Sequence, residues 1–587
     1  MKSALQKRTL TLAFAVAALT LVGASQAARG SLLIVGGGLR SDNLPVYDAF
    51  IKAAGGKDAA NVVIVPTASS SLSSSRRFKA ELEALGLPAA RVTVLDITSK
   101  NAADATKSPE ILNAIGAASA VWMVGGDQLR LQKAFATADG SDTPALKAIR
   151  DVWAERGGVI GGSSAGASIQ SVRMPSAFGI PLDSLDFGVA PQADQRGVYV
   201  SPGFGLFSAG IIDQHFNTYS GRHARMAAYL TAGPDKIGFG LDENTAMLVA
   251  PDGMVDVLGS GGLSIMDARE ATRQDGPLGV RLGNLRLHYL MSGDRLNPQT
   301  LAVTVNAKKS LIKPGDEYET TPRTSTDLAG NDAYRTLLTY GLVDNTATRT
   351  SGLYLRYRPG TGYGAGYRVT LSKAADTQGH YGSVTGVDAY TVLNARMDVA
   401  PVGLNGLEPV APRDLRGHSR ETELTAVAFR GLLPPLPSGL FAPQRSVTRA
   451  ELAAALAFAS GAGEKTVPAL SDVPATHPDA AAIRVAASRG WLTAPEGRFD
   501  PDRPATRQET ALALAGAYDF VQLRALPAAP LTATDAAAAT SDAARQALGG
   551  AVAAGLLELR AGAARPAADL TRAELGTALY RLMGFKF

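Results

Sequence analysis

Between residue 31 and about residue 270, apolar runs of strand character alternate with amphipathic segments of helical character. The strand-like runs cover residues 31–35, 61–66, 91–97, 120–124 and 158–162, and helical patterns cover residues 44–54, 76–85, 109–117 and 144–155. Strands that are apolar throughout, with helices between them, predict an α/β fold with a mostly parallel sheet covered by helices on both faces. In such folds, functional side chains gather at the carboxyl ends of the strands.

One of these strand ends carries the sequence Gly-Gly-Ser-Ser-Ala-Gly-Ala, from Gly161 to Ala167. A G-x-S-x-G turn between a strand and a helix exposes a serine hydroxyl for attack on a carbonyl carbon. The flanking glycines permit a tight backbone, and the helix N-terminus adds partial positive charge where an oxyanion would form. Turns of small residues are also common for packing reasons alone. Ser164 is therefore a candidate nucleophile, and its catalytic role depends on whether a base and an oxyanion hole accompany it.

A serine nucleophile needs a base and an oxyanion hole. Of the six histidines, His215 follows the apolar run Ala209-Gly210-Ile211-Ile212 and is the candidate base, whereas His223 is interpreted as an exposed helical residue. The backbone amides of Ala165 and of the Gly125-Gly126 turn are candidate oxyanion donors. Cysteine is absent, which excludes a thiol nucleophile or a thiolate metal site.

The N-terminus has the pattern of a secretory signal peptide, which we expect to cover residues 1–27. Lys2, Lys7 and Arg8 form a basic region, an apolar core follows, and Ser25-Gln26-Ala27 is a small-x-small cleavage signature. Removing those three cations lowers the net charge from +5 to +2, which gives no argument for nucleic-acid binding. No later apolar run is long enough to span a bilayer, so a secreted mature chain without a transmembrane segment is expected.

The rest of the chain divides by composition. Residues 31–284 form the predicted α/β hydrolase domain, and residues 285–400 are rich in β-type alternation but suggest no task. Residues 401–410 have the composition of a linker. Residues 411–583 contain three copies of a pattern in which Thr-Arg-x-Glu opens an Ala/Leu-rich helix as a capping box, with a proline five residues before each threonine. Capping alone explains Thr and Glu but not the recurring arginine.

The repeated pattern resembles the S-layer homology repeat. That resemblance implies a small helical module that binds cell-wall polysaccharide, and therefore a cell-surface location. It also implies contact with acidic groups of the glycan through the arginine of each motif, which here is Arg449, Arg507 and Arg572.

The first domain resembles the cyanophycinases, which are serine peptidases related to peptidase E with a glutaminase-like α/β fold. The motifs that carry the resemblance appear in order: G-G-D-Q-L from residue 125, G-S-S-A-G-A from residue 162, D-Q-H-F from residue 213 and G-L-D-E-N-T-A from residue 240. The resemblance implies Ser164 as nucleophile, His215 as base, and Gly126 with Ala165 as oxyanion hole. It further implies pocket roles for Gln128, Asp213 and Gln214, and cyanophycin (a polyaspartate that carries arginine) as substrate, cut to β-Asp-Arg dipeptides.

The sequence departs from the family pattern in two places. The family orients its histidine with a glutamate, but no glutamate occurs between Ser164 and Glu243, so Asp183 is the predicted third member and Asp186 the alternative; Asp242-Glu243 is interpreted as a brace of the fold. The family's first arginine after D-Q-H-F is replaced by Tyr219-Ser220, whereas Arg222 and Arg225 keep the later spacing and are predicted to bind substrate carboxylates.

Three functions remain open from sequence alone. The first is a wall-tethered cyanophycinase, the second is a surface-layer structural protein with an inactive hydrolase domain, and the third is a peptidase of Asp-containing peptides like peptidase E. No metal or cofactor is expected, because no cluster of histidine and carboxylate residues has ligand spacing.

Overall fold

The computed structural model describes residues 29–137, 139–176, 181–193, 195–218, 221–358, 362–384, 386–404, 409–466 and 469–584. The predicted signal peptide at residues 1–27 and the Tyr219-Ser220 pair lie outside the described residues. In the described ranges, no helix is both long and apolar enough to cross a membrane. Within the same ranges, no group of three or more histidine and carboxylate side chains is arranged to hold a metal ion.

The first sheet has nine strands and contains the five that the apolar runs predict. Those five pair in parallel in the order β1-β5-β4-β2-β3, and four antiparallel strands extend the sheet beyond β1 in the order β11-β12-β16-β17. Their bounds are β1 Ser31–Val35, β2 Val62–Val65, β3 Val92–Val94, β4 Ala120–Met123, β5 Val159–Ser163, β11 Thr245–Val249, β12 Val255–Gly259, β16 Arg295–Leu296 and β17 Val303–Thr304.

Helices cover both faces of this sheet, as predicted. Alternate residues of β1 point to opposite sides, so that Leu33 packs in a cluster with Phe50 of α1 and Phe78 of α2, while Ile34 packs with Ile149 of α6. The helices are α1 Leu44–Ala53, α2 Ser73–Ala84, α3 Ala102–Ala105, α4 Pro109–Ala117, α5 Gln128–Phe135, α6 Pro144–Ala154 and α7 Ala165–Ser168.

The second sheet joins the end of the hydrolase region to the β-rich segment. Its main path runs β19-β20-β21-β23-β15-β13-β10-β9, with β14 on β15, β22 on β23 and β18 on β22. The bounds are β9 Ile211–Asp213, β10 Ile237–Leu241, β13 Gly262–Asp267, β14 Thr272–Gln274, β15 Arg281–Met291, β18 Ser310–Leu311, β19 Thr324–Ser325, β20 Arg349–Arg358, β21 Tyr363–Ser372, β22 Gln378–Val384 and β23 Val387–Gly403.

Two predicted boundaries therefore fall inside strands of this sheet. The boundary after residue 284 lies within β15, and the predicted linker at residues 401–410 begins within the last residues of β23. The β-rich segment continues the sheet that contains β9, the strand before His215, since β15 pairs with β13 on one side and with β23 on the other. The amino-acid composition thus changes at both predicted boundaries, although a strand of the second sheet runs through each of them.

A small three-stranded sheet and three further helices complete this part of the chain. The small sheet has the order β6-β8-β7, with bounds β6 Arg173–Ser176, β7 Val189–Ala190 and β8 Val198–Pro202. The helices are α8 Pro181–Phe187, α9 Arg222–Ala232 and α10 Ala333–Leu338, and a π-helical turn at Thr339–Val343 follows α10.

The C-terminal region is a module of paired helices with threefold internal similarity. Its helices are α11 Glu421–Phe429, α12 Arg449–Ser460, α13 Ala480–Ser488, α14 Arg507–Gln522, α15 Asp542–Ala553 and α16 Arg572–Met583. Helices α12, α14 and α16 each begin with a complete capping box, formed by the threonine and glutamate of the repeated motif. The predicted capping boxes are confirmed in all three copies.

The arginines of the three motifs are buried, contrary to the predicted contact with a wall glycan. Arg449, Arg507 and Arg572 are 2%, 1% and 1% exposed. Each pairs with the motif glutamate of another copy, and the three pairs close a ring: Arg449 with Glu509, Arg507 with Glu574 and Arg572 with Glu451.

Backbone carbonyls take up the remaining sides of these guanidinium groups. For Arg449, Nε donates to the carbonyl of Phe499 at 2.8 Å and an Nη to the carbonyl of Thr493 at 2.5 Å. Arg507 and Arg572 donate to carbonyls in the same two ways. The recurring arginine that capping could not explain therefore holds the three copies together.

Candidate active site

Ser164 lies in a sharp turn between β5 and α7. Its φ is +56°, a left-handed value that a residue with a side chain rarely adopts and that exposes the hydroxyl above the sheet. Gly162 and Gly166 make this turn possible, since a β-carbon on Gly162 would clash with the carbonyl of Gly166 and one on Gly166 with the carbonyl of Met123. The glycines of G-x-S-x-G are thus a steric requirement here.

His215 lies just beyond β9, also with a positive φ of +49°. Its Nε2 lies 2.9 Å from the Oγ of Ser164, and the same hydroxyl is 3.3 Å from the Oε1 of Gln214. The two candidate residues that are 51 positions apart in sequence are therefore in hydrogen-bond contact. This geometry allows the imidazole to take up the serine proton.

Glu243, rather than Asp183, contacts the other side of the imidazole. An oxygen of Glu243 is hydrogen bonded to Nδ1 of His215, so the carboxylate fixes the ring and the tautomer in which Nε2 accepts a proton. The prediction of Asp183 is wrong, and so is the interpretation of Glu243 as a brace. The family glutamate is present, but it follows the histidine in sequence.

Asp183 and its alternative Asp186 are both occupied elsewhere. Asp183 accepts a hydrogen bond from Arg356 of β20 at 2.7 Å. Asp186 accepts one from Tyr367 of β21 at 2.8 Å and one from Arg430, just after α11, at 2.6 Å. These aspartates join α8 to the second sheet and to the C-terminal module.

Burial lowers the pKa of His215 below its ordinary value of 6.5, and the positive charge of Arg222 acts in the same direction. The bond to Glu243 opposes this shift without cancelling it. The imidazole is therefore neutral at neutral pH, which is the form able to accept a proton. Asp242, next to Glu243, is fully buried, and burial raises its pKa to about 7 although Tyr289 donates to it at 2.7 Å.

Three consecutive carbonyls at the end of β1 hold the three parts of the site together. The carbonyl of Val35 accepts from the N–H of Ser164, that of Gly36 from His215, and that of Gly37 from Asn244, with N···O distances of 3.0, 2.7 and 2.8 Å. A β-carbon on Gly37 would clash with the imidazole of His215, and one on Gly38 would lie 2.9 Å from an oxygen of Glu243. The sequence analysis missed this Gly36-Gly37-Gly38 turn, although a glycine run after a parallel strand is a recognisable signal.

The Gly125-Gly126 turn lies beside Ser164, as the oxyanion-hole prediction requires. A β-carbon on Gly125 would lie 3.6 Å from Oγ of Ser164. Gly126 has φ +144° and packs so closely on the carbonyl of Ala68 that no larger residue fits. Ala165 begins α7, where backbone N–H groups have no partner inside the helix. Gly125 and Ala165 thus adjoin Ser164, and Gly126 and Ala165 stay candidate donors.

The remaining predicted pocket residues are engaged within the protein. Asp213 is 1% exposed and pairs with Arg225 at 2.5 Å and with Arg222 at 3.2 Å. Burial raises the pKa of Asp213, but the two arginines outweigh it and lower the pKa overall. The side-chain amide of Gln128 donates to the carbonyl of Pro175 at 2.7 Å. Arg225 is 8% exposed and supports the strand before His215, so its predicted carboxylate-binding role is not supported.

His223 is buried, not exposed as the sequence suggested. Its ring stacks on Tyr334 with 3.7 Å between centroids and lies 4.1 Å from Phe216, and burial lowers its pKa to about 3. Its partner Tyr334 belongs to α10, in the segment that had no assigned task. This packing attaches that segment to α9, the helix that follows His215.

Comparison with known proteins identifies the family of the chain. The model of the family described as peptidase family S51 matches residues 32–257, and the S-layer homology domain matches residues 413–453 and 469–511. A protein named cyanophycinase from Trichormus variabilis is 32% identical over 281 residues, which cover 46% of this chain and 87% of the relative. One from Synechococcus elongatus is 31% identical over 265 residues, covering 43% of this chain and 74% of the relative.

A cell-surface protein matches a shorter part of the chain. Cell surface glycoprotein 1 of Acetivibrio thermocellus is 40% identical over 87 residues, which are 14% of this chain and 4% of that protein. The chain therefore belongs to peptidase family S51, as a cyanophycinase-like serine peptidase that carries S-layer homology domains after its peptidase region.

Proposed function

We propose that this protein is a secreted peptidase that hydrolyses cyanophycin and is held at the cell wall by its S-layer homology module. The observation that carries the proposal is the contact of Ser164 Oγ with Nε2 of His215, 2.9 Å long, while Glu243 occupies Nδ1. This is the arrangement by which a hydroxyl becomes a nucleophile at neutral pH.

In the proposed reaction, Oγ of Ser164 attacks the scissile carbonyl carbon as its proton passes to Nε2 of His215. Glu243 stabilises the imidazolium that forms, and the amides of Gly126 and Ala165 donate to the oxyanion. The imidazolium then protonates the leaving amine, which departs and leaves an ester on Ser164. Water, deprotonated by His215, hydrolyses that ester and restores the hydroxyl.

Cyanophycin is the proposed substrate because the relatives that cover the peptidase region bear the name cyanophycinase. Arg222 gives some support from the site itself. Its side chain is 13% exposed, and its positive charge acts on both His215 and Glu243, so it can attract a substrate carboxylate near the serine. The altered arginine pattern leaves Asp-containing peptides as the competing substrate class.

Purified protein incubated with insoluble cyanophycin tests the proposal. We expect clearing with release of β-Asp-Arg dipeptides, abolished in Ser164→Ala and retained in Ser163→Ala, which removes the neighbouring hydroxyl of the same turn. Cleavage of Asp-X dipeptides without clearing would assign the protein to the competing class. Inertness toward both substrates would contradict a peptidase function altogether.

For the wall polysaccharide, we propose a cleft in the C-terminal module in place of the three buried arginines. The cleft has a volume of about 410 Å³, within the range of small-ligand sites, and lies between the start of α11 and the third repeat. Arg420 and Arg560 line it with side chains 28% and 34% exposed, each paired with a glutamate. Such cations suit the acidic groups of a wall glycan.

Co-sedimentation of the full chain with purified cell walls tests this attachment. We expect Arg420→Ala to release the protein into the supernatant and Arg484→Ala, which removes an exposed arginine outside the cleft, to leave sedimentation unchanged. Equal sedimentation of both variants would refute the cleft, and a wild-type protein that stays in the supernatant would refute wall attachment.

A further inference from the structure

The helix start at Asp332 is tied to the turn that follows His215 by two hydrogen bonds. The N–H of Asp332 donates to the carbonyl of Asn217 at 2.7 Å, and the side-chain amide of Asn217 donates to Oδ1 of Asp332 at 2.9 Å. Asp332 lies 115 positions further along the chain, in the β-rich region that the peptidase family model does not reach. No motif in the sequence pointed to either residue.

Asn217 extends this connection to the carboxylate beside His215. Its side-chain oxygen accepts the N–H of Glu243 at 3.0 Å, so one amide group joins Asp332 to the backbone of Glu243. The path then runs through the Glu243 carboxylate to Nδ1 of His215. Both functional groups of the Asn217 amide are used, which leaves the group little freedom to turn.

The need for such a support follows from the exposure of Glu243. Its side chain is 40% exposed, so packing does little to restrict the carboxylate. The placement of its backbone and the close approach of Gly38 must therefore define its position. A carboxylate held in this way is sensitive to small displacements of the residue that carries it.

Asp332 is itself well anchored. It occupies a left-handed conformation with φ +56° at the start of α10, and its other oxygen is 3.1 Å from a guanidinium nitrogen of Arg335. Two residues on, the buried ring of Tyr334 stacks on His223 of α9. The start of α10 is thus a fixed point against which the turn after His215 can be aligned.

We propose that Asn217 and Asp332 are positioning residues that hold Glu243 in line with His215, and that the β-rich region thereby completes the active site. The inference rests on the proposed function, since it assigns these residues a role in the same reaction. Neither residue touches the reacting atoms; both act through Glu243.

The test compares Asp332→Ala and Asn217→Ala with the wild-type full chain. We expect each to lower kcat by about 10- to 100-fold with little change in KM, because a displaced carboxylate impairs proton transfer rather than binding. Asp332→Asn retains an oxygen that can accept from Asn217 and should recover most of the lost rate. Asp542→Ala is the matched control, since it removes an aspartate paired with an arginine three positions on, far from the site.

The pH profile separates positioning from general damage. The charged groups that act on His215 are Glu243, Asp213 and Arg222; Glu243 and Asp213 raise its pKa, Glu243 more strongly, and Arg222 lowers it. A displaced Glu243 should therefore move the acid limb of kcat/KM to lower pH in Asp332→Ala, whereas partial unfolding would lower the rate at all pH values without moving the limb.

Several outcomes would overturn the inference. They are wild-type kcat in both alanine variants, a loss in Asp332→Asn equal to that in Asp332→Ala, or a lowered rate with an unmoved acid limb. Failure of the proposed function is distinguishable, because it would show as an inert wild-type enzyme. In that case NMR titration of His215 still tests the inference, which requires a lower pKa in Asp332→Ala and is refuted by an unchanged one.

Discussion

The carboxylate of Glu243 contacts Nδ1 of His215, on the edge of the ring opposite the hydroxyl of Ser164. The three residues come from the ends of three different strands, and the carbonyls of residues 35–37 accept from the backbone N–H groups of Ser164, His215 and Asn244, the neighbour of Glu243. A nucleophile, a base and an orienting carboxylate thus meet above the end of β1.

The contact between Glu243 and His215 makes a first prediction. Glu243→Gln keeps the shape of the side chain but removes the charge that stabilises the imidazolium, so we expect kcat on the hydrolysed substrate to fall by about 10²- to 10⁴-fold. Asp183→Asn is the discriminating comparison, since Asp183 pairs with Arg356 and should leave kcat within a few-fold of wild type. A larger loss of kcat in Asp183→Asn than in Glu243→Gln would instead identify Asp183 as the residue that orients His215.

The residue that orients His215 was predicted wrongly, as Asp183 in place of Glu243. Ser164 and His215 were predictable because each follows an apolar strand, although β5 lies in the first sheet and β9 in the second. Glu243 also follows a strand, β10, which pairs in parallel with β9, but nothing local distinguishes Glu243 from its buried neighbour Asp242. What the sequence did not reveal is the backbone course after β10, which brings the Glu243 carboxylate to the imidazole and buries Asp242.

The burial of the three arginines in the C-terminal module was not predicted because their partners are distant in sequence. Local pattern established the capping boxes, because Thr and Glu three residues apart act within one helix turn. The partner of Arg449, by contrast, is Glu509, 60 positions further on in another copy. Repetition in the sequence revealed that an arginine was required but not that it closes a ring.

The oxyanion side of the site makes a second prediction. Gly126→Ala places a β-carbon against the carbonyl of Ala68 at a φ of +144°, so the turn must shift and its amide leaves the serine. We expect kcat to fall by about 10²- to 10³-fold, the usual cost of one oxyanion donor, with a smaller change in KM.

Gly56→Ala controls for the backbone effect of that substitution. Gly56 also has a positive φ, +85°, but a β-carbon at this position would meet no atom within 4 Å, so the variant carries strain without a clash. We expect it to lower the unfolding temperature and leave kcat unchanged. Equal losses of kcat in the two glycine variants would point to general strain instead of a missing donor.

The lowered pKa of His215 makes a third prediction. Only the neutral ring accepts the serine proton, and the neutral fraction rises with pH. Because burial holds the pKa below 6.5, activity should stay full at neutral pH and be lost only as pH falls through a midpoint below 6.5. The dependence of kcat/KM on pH measures this midpoint for the free enzyme. A midpoint above 6.5 would mean that Glu243 outweighs burial.

The ring of buried arginines makes the last prediction, which uses two arginines that bind the same carboxylate. Arg449 is 3% exposed in its side chain and Arg503 is 44% exposed, and both donate to Glu509. Arg449→Met removes the buried partner and leaves the carbonyls of Phe499 and Thr493 without their donor. We expect the opening free energy of the module to fall by about 2–4 kcal/mol.

Arg503→Met removes only the solvent-exposed arginine that binds Glu509, so the opening free energy should fall by less than about 1 kcal/mol. Hydrogen exchange of peptides from α12 and α14 in the full chain measures both opening free energies, and peptides from α4 and α6 report whether the peptidase region is untouched. Wall binding should fall with Arg449→Met only to the extent that the helices open. If that variant lost wall binding while its exchange protection stayed at the wild-type level, Arg449 would contact the glycan directly and the ring would not be its main role.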